Sequence, residues 1–129
     1  MRYFDDSKAT NVGAVLRSVE SFEGGIHLIM GGVDKGGSYQ PLLEAVRRRV
    51  KALYLLGEAA DRIEEELGEV AKIIRVEDMV DAVRRASDAA SPGDVVLLAP
   101  ACSSFDMYEN YKERGKHFAG LAAERMKER

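Results

Sequence analysis

Short, nearly uninterrupted apolar runs alternate along this chain with stretches in which apolar residues recur every third or fourth position. Residues 26–30, 52–56, 72–76 and 94–98 form the runs; the first two end at Gly31-Gly32 and Gly57, and the last at Ala99-Pro100. Runs of this length predict buried strands, the 72–76 run (Lys72-Ile73-Ile74-Arg75-Val76) being the weakest. Between them the period changes. Val12, Val15, Leu16 and Val19 fall at i, i+3, i+4 and i+7, one face of a helix. The sets Leu42/Leu43/Val46/Val50, Ala59/Ile63/Leu67, Met79/Val80/Val83/Ala86 and Phe118/Leu121/Ala122 predict further helices in the same way.

Strands apolar on both faces and separated by helices imply a parallel sheet covered on each side. With right-handed crossovers this is an α/β fold, a Rossmann-like, doubly wound, mainly parallel sheet with helices on both faces. Ligands in such sheets collect beyond the carboxyl ends of the strands. The loops over residues 31–38 and 99–106 both follow strand ends, so they are expected to converge on one edge. Ser91-Pro92-Gly93-Asp94 reads as the turn that starts the last strand.

At 129 residues the chain suits a single domain, 1–129, and with 46% hydrophobic residues it has enough apolar surface for a core. A net charge of −3 excludes the concentrated basic face that nucleic acid demands. The basic run Arg47-Arg48-Arg49 with Lys51 ends a predicted helix and is expected to offset its dipole in solvent. The lone Cys102 cannot form an internal disulfide, and no apolar run reaches membrane-spanning length. Met1 to Asp6 lack the apolar core of a signal peptide. A cytoplasmic location, no membrane and a monomer are expected.

The chemistry concentrates in three segments. Asp6-Ser7-Lys8-Ala9-Thr10-Asn11 leads into the first helix. One of these residues suffices as an N-cap, and Lys8 beside the positive helix end is unfavourable unless an anion is near. Gly31-Gly32-Val33-Asp34-Lys35-Gly36-Gly37-Ser38 matches neither GxxxxGK[ST] nor GxGxxG. It reads either as a flexible strand-to-helix turn or as a loop presenting Lys35 to a carboxylate or phosphate. Ala99-Pro100-Ala101-Cys102-Ser103-Ser104 carries a thiol and two hydroxyls, but the chain's two histidines offer no base for a nucleophile. His27 is expected to be a hydrogen-bonded core residue, His117 exposed, and Cys102 a small buried residue. Glu64-Glu65-Glu66 reads as a solvated face, and Tyr108 and Tyr111 as core. No cysteine–histidine cluster suggests a metal.

In this order and spacing, the segments resemble the C-terminal domain of the Mur ligase family, in its D-glutamate-adding branch. The matching motifs are Asp6-Ser7-Lys8-Ala9-Thr10-Asn11, Gly31-Gly32-x-Asp34-Lys35-Gly36, Pro100-Ala101-Cys102-x-Ser104-Phe105-Asp106 and Tyr111-x-x-Arg114-Gly115-x-x-Phe118. The resemblance runs essentially the length of the chain. Ser7-Lys8-Ala9-Thr10 separates it from sibling ligases, which carry an aspartate, an aromatic and a histidine there.

The resemblance implies an ATP-dependent ligase of peptidoglycan synthesis that joins D-glutamate to UDP-N-acetylmuramoyl-L-alanine through an acyl phosphate. It implies that Thr10, Lys35, Ser104 and the backbone around Phe105 and Tyr111 hold the carboxylates of D-glutamate. Asp6 would accept from the ATP ribose hydroxyls and Lys8 would lie near the phosphates. Magnesium would be bound by a central domain that this chain lacks, so the chain by itself is not expected to turn over. The fold alone would equally suit a freestanding nucleotide- or amino-acid-binding module.

Overall fold

The computed structural model describes residues 1–104 and 108–127. Five strands, β1 (Arg2–Asp5), β2 (Ile26–Gly31), β3 (Val50–Leu56), β4 (Lys72–Arg75) and β5 (Val95–Leu98), form one sheet in the order β1-β5-β2-β3-β4. Every neighbouring pair is parallel. The helices are α1 (Val12–Glu20), α2 (Leu43–Arg49), α3 (Ala60–Leu67), α4 (Met79–Ala89) and α5 (Tyr111–Lys127). A short 3-10 turn, Gln40–Leu42, introduces α2 around Pro41.

The expected α/β architecture is present, with one strand more than the apolar pattern predicts. β1 has no buried residue among its four and pairs only with β5. An edge strand of this kind is held by its ladder to a distant segment, which local periodicity does not reveal.

The strand alternation divides the core between two faces. Leu28 and Met30 of β2, Leu53 and Leu55 of β3, and Val95 and Leu97 of β5 pack with Val15, Val19, Val46 and Ile63, beneath α1, α2 and α3. Ile29, Tyr54, Leu56, Val96 and Leu98 point the other way, against Met79, Val83, Ala86 and Phe118 of α4 and α5. Because β2, β3 and β5 are covered on both sides, their sequences are nearly continuous apolar runs, broken by His27 and Lys51, rather than alternating.

Helix starts follow local chemistry. The Asn11 side chain accepts from Ala14 N–H at 2.9 Å and caps α1. Asp78 caps α4 through Asp81 N–H at 2.8 Å. With Asn11 as the cap, Lys8 lies outside the helix proper and needs another explanation.

The pairing of β2 with β3 slips between Ile26 and His27, which face Val50 and Ala52, so Lys51 is left without a partner in the ladder. Lys51 Nζ instead reaches both carboxylate oxygens of Asp94 at 3.0 Å. It is thus engaged in a pair rather than simply solvated as expected, and Arg49 likewise donates to Phe22 O at 2.6 Å. Arg47 and Arg48 do stay exposed, beside Glu44.

Candidate functional site

Three loops meet beyond the carboxyl ends of β1, β2 and β5 and are tied together by their backbones. Gly31 N–H donates to Pro100 O at 3.1 Å, and Ala101 N–H donates to Ala9 O at 2.9 Å. Val33 and Ser103 exchange both main-chain bonds, at 2.8 and 3.2 Å, as an antiparallel bridge. Gly31 and Gly32 take φ of +138° and +131°. A Cβ on Gly31 would lie 1.9 Å from Leu56 O, and one on Gly32 would lie 2.1 Å from Ser103 O. Both positions therefore require glycine, for close approach as well as for conformation.

A buried cation joins the first loop to the last helix. Arg114, only 3% exposed, donates from Nε to Ser7 Oγ and from Nη2 to Ser7 O, each at 3.0 Å. The Ser7 hydroxyl in turn donates to Tyr111 O at 2.7 Å. The same guanidinium faces Gly32, whose ideal Cβ would stand 3.2 Å from Nη1. Segments far apart in sequence are thus gathered on one side chain.

The glycine-rich loop is anchored from α3. Asp34 Oδ1 accepts from Gly36 N–H at 3.1 Å and from the Tyr39 hydroxyl at 3.0 Å, while Oδ2 accepts from Arg62 Nη1 at 2.8 Å. The hydrogen bond from Arg62 holds the Asp34 carboxyl below its ordinary range, against the opposing effect of burial. Glu66 Oε1 accepts from Ser38 Oγ and Tyr39 N–H, both at 3.0 Å, and Arg62 Nε approaches Glu66 Oε2 at 3.3 Å. The Tyr39 ring is buried beneath Arg62, and its hydroxyl also meets Cys102 Sγ at 3.3 Å. Burial, with Cys102 and Asp34 beside it, pushes the Tyr39 hydroxyl well above the usual phenol range.

Asp6, Lys8, Thr10, Lys35, Ser104 and Tyr111 all stand on this edge, as the motif order predicts; Phe105 lies outside the described residues. They do not share one cavity. Lys35 opens onto a cleft of about 170 Å³ with Asn11, Tyr39 and Ala101. Lys8 and Tyr111 border an open groove of about 420 Å³ with Lys112 and Lys116, and Asp6 and Lys8 border another of about 560 Å³ with Asn11 and Arg17. Ser104 is buried, behind Gly31, Gly32 and Arg114, and Thr10 lines none of these spaces. Lys8 and Lys35 make no ion pair among the described residues, so both ammonium groups face solvent at the sheet's ligand edge.

Some expectations are corrected here. Tyr111 is 41% exposed rather than core. Glu66 belongs to the loop anchor rather than to a solvated face, although Glu64 and Glu65 are exposed. Nothing local in the sequence assigns Arg62, Glu66, Tyr39 or Arg114 a part in supporting these loops. The i, i+4 spacing of Arg62 and Glu66 was a signal for a paired helix face, but nothing local says that the pair reaches another loop.

Other expectations hold. Cys102 is fully buried, His117 is exposed, and His27 is 3% exposed at the opposite end of the sheet. His27 Nε2 lies 3.0 Å from Asp94 Oδ2 and Nδ1 lies 2.9 Å from the Tyr54 hydroxyl. Asp94 can only accept, so Nε2 carries the proton, and in the neutral ring Nδ1 accepts from Tyr54. Burial pushes the Asp94 carboxyl up, but Ser91 N–H, Lys51 and His27 outweigh it and hold it at about 2. Burial, with Asp94 nearby, pushes the Tyr54 hydroxyl up to about 12. His27 is structural, far from the three loops.

Residues 1–102, containing the first two loops and the first half of the third, match the family model described as Mur ligase, glutamate ligase domain. The chain belongs to the Mur ligase family. Within the family it is 54% identical over 118 residues to the UDP-N-acetylmuramoylalanine–D-glutamate ligase of Trichlorobacter lovleyi, a match covering 92% of this chain. It is 55% identical to the ligase of that name from Geotalea daltonii, over 90% of the chain, and 57% identical to that from Salinibacter ruber, over 92%. In each case the match spans 26% of the relative's length. No described helix is long and apolar enough to cross a membrane.

Proposed function

We propose that this Mur ligase domain is the amino-acid-binding part of a ligase that joins D-glutamate to UDP-N-acetylmuramoyl-L-alanine. The observation that carries the reading is identity above one half to ligases of that name across nine-tenths of the chain. The site chemistry agrees with it. An amino acid with two carboxylates needs charge-assisted donors once it leaves water. Lys35 supplies an ammonium without an ion-pair partner among the described residues, Thr10 and Ser104 carry hydroxyls on the same edge, and the family resemblance adds the backbone at Phe105 and Tyr111.

ATP would supply the phosphoryl group that activates the L-alanine carboxylate of the UDP-sugar. The donor set fits it: Asp6 offers a carboxylate to ribose hydroxyls, and Lys8, with no ion pair among the described residues, offers a cation for phosphate on the same groove. None of this chain's residues is assigned to magnesium, whose ligands belong with a catalytic domain outside these 129 residues. In the joining step the D-glutamate amine attacks the activated carbonyl carbon, the C–O bond to phosphate breaks, phosphate leaves with that electron pair, and the amine loses a proton. The role of this chain is to position the attacking amine and neutralise carboxylate charge, with no nucleophile or general base of its own.

A titration with the two glutamate enantiomers, followed through the backbone amides, tests this. D-glutamate is expected to shift Lys35 and Ser104 selectively. Equal shifts with L-glutamate would replace the ligase reading with that of a general amino-acid module.

A further inference from the structure

We infer that Arg62, on α3, keeps Lys35 available to an anionic ligand by occupying the carboxylate of its neighbour Asp34. The occupancy of Asp34 stands on geometry alone; its consequence for D-glutamate rests on the site proposed above.

The two oxygens of Asp34 have separate duties. Oδ1 shapes the loop, accepting from Gly36 N–H and the Tyr39 hydroxyl, whereas Oδ2 takes, among the described residues, the Arg62 guanidinium alone, at 2.8 Å. Arg62 stands between Asp34 and Glu66, reaching the second at 3.3 Å, with its guanidinium carbon over the Tyr39 ring, 5.6 Å from the centroid. A planar, forked cation on a helix suits a bridge between two fixed carboxylates better than a point charge on a flexible stem does. Lys35 follows Asp34 in the chain, borders the same cleft, and has no ion pair among the described residues.

Without Arg62, Asp34 Oδ2 would lose its cation while Oδ1 stayed in the loop. The nearest free ammonium on that loop is Lys35, whose long side chain can turn back to the vacated oxygen. Lys35 would then be neutralised internally, and a ligand carboxylate would have to compete with Asp34 for it. Arg62 is thus a positioning residue that acts through Asp34, with no contact of its own to the ligand.

Trace acetylation of the whole chain with limiting, uncharged acetic anhydride, read by mass spectrometry, tests this without a ligand. The Lys35 rate is taken relative to Lys8, which also lacks an ion pair among the described residues. Arg62→Met is expected to lower that ratio roughly two- to fivefold, the range an exposed ion pair yields. Asp34→Asn added to Arg62→Met keeps the Oδ1 contacts, removes the competing charge and should restore the ratio; Arg62→Lys, a poorer bridge, should give a ratio between those of Arg62→Met and wild type. An unchanged ratio in Arg62→Met, or no recovery in the double variant, would overturn the inference. Added D-glutamate should shield Lys35 in the wild type and less so in Arg62→Met. A wild-type Lys35 that D-glutamate never shields would count against the proposed substrate site while leaving the role of Arg62 intact.

Discussion

Arg114 and Ser7, separated by more than a hundred positions, are joined twice: Nε to the serine hydroxyl and Nη2 to the serine carbonyl, each at 3.0 Å. Both groups are buried, so water cannot replace either bond. Arg114→Met should therefore destabilise the domain by about 2–4 kcal/mol, from lost charged hydrogen bonds and an orphaned carbonyl. Urea unfolding measures this, and a midpoint like that of the wild type would show that the two bonds contribute little.

Gly32 governs how closely the glycine-rich loop approaches the Ser103 strand end. In Gly32→Ala the new methyl would meet Ser103 O at 2.1 Å in a backbone conformation already unfavourable for alanine. A cost on the order of 3–5 kcal/mol follows, combining strain with displacement of the bridge. Amide exchange at Val33 and Ser103 is expected to accelerate well beyond that in the central strands. Retained protection at both amides would contradict this account.

Asp94 gives the fold a specific acid sensitivity. Its carboxyl sits at about 2 in the folded chain, below its ordinary 3.8. A lowered folded-state value means that the stabilisation is complete above the unfolded value and is lost as pH falls through the folded one. The loss should amount to about 1–2 kcal/mol, between roughly pH 4 and pH 2. Asp94→Asn should start less stable and show a shallower slope in that window. Parallel curves for the two proteins would place the acid sensitivity elsewhere.

Tyr54→Phe removes the hydroxyl that donates to His27 Nδ1, at 2.9 Å, without changing the volume of the ring. A loss of about 1–3 kcal/mol is expected, the cost of leaving a buried polar group without its partner. Thermal unfolding would detect it, while D-glutamate binding should not change, because this pair lies at the far end of the sheet.

Lys35→Ala is the most direct variant for the proposed substrate site. Loss of a charged hydrogen-bond donor to a carboxylate should weaken D-glutamate binding roughly ten- to a hundredfold. Stability should hardly move, since Lys35 is exposed and forms no ion pair among the described residues. Unaltered affinity in this variant would remove Lys35 from the site.

The apolar pattern by itself determined the α/β class, four of the five strands and all five helices, because most of these residues are buried and burial imposes a period of 2 or 3.6; β4, with no fully buried residue, was legible from Ile73-Ile74, and Val80 proved exposed. The residue types also marked the segments that hold Asp6, Lys8, Lys35 and Ser104, since a lysine at a helix start, a glycine-rich loop with a lysine, and hydroxyls after a strand are chemistry a core does not need. Tertiary structure alone decided the rest. β1 exists because β5 offers it a ladder, Glu66 leaves the solvated face because the Tyr39 backbone arrives beside it, and Ser7 is locked by an arginine from the last helix. Each of these depends on a partner brought near by the chain's path through space, and a hydrogen bond or ion pair between distant segments leaves no periodic trace in the sequence of either one.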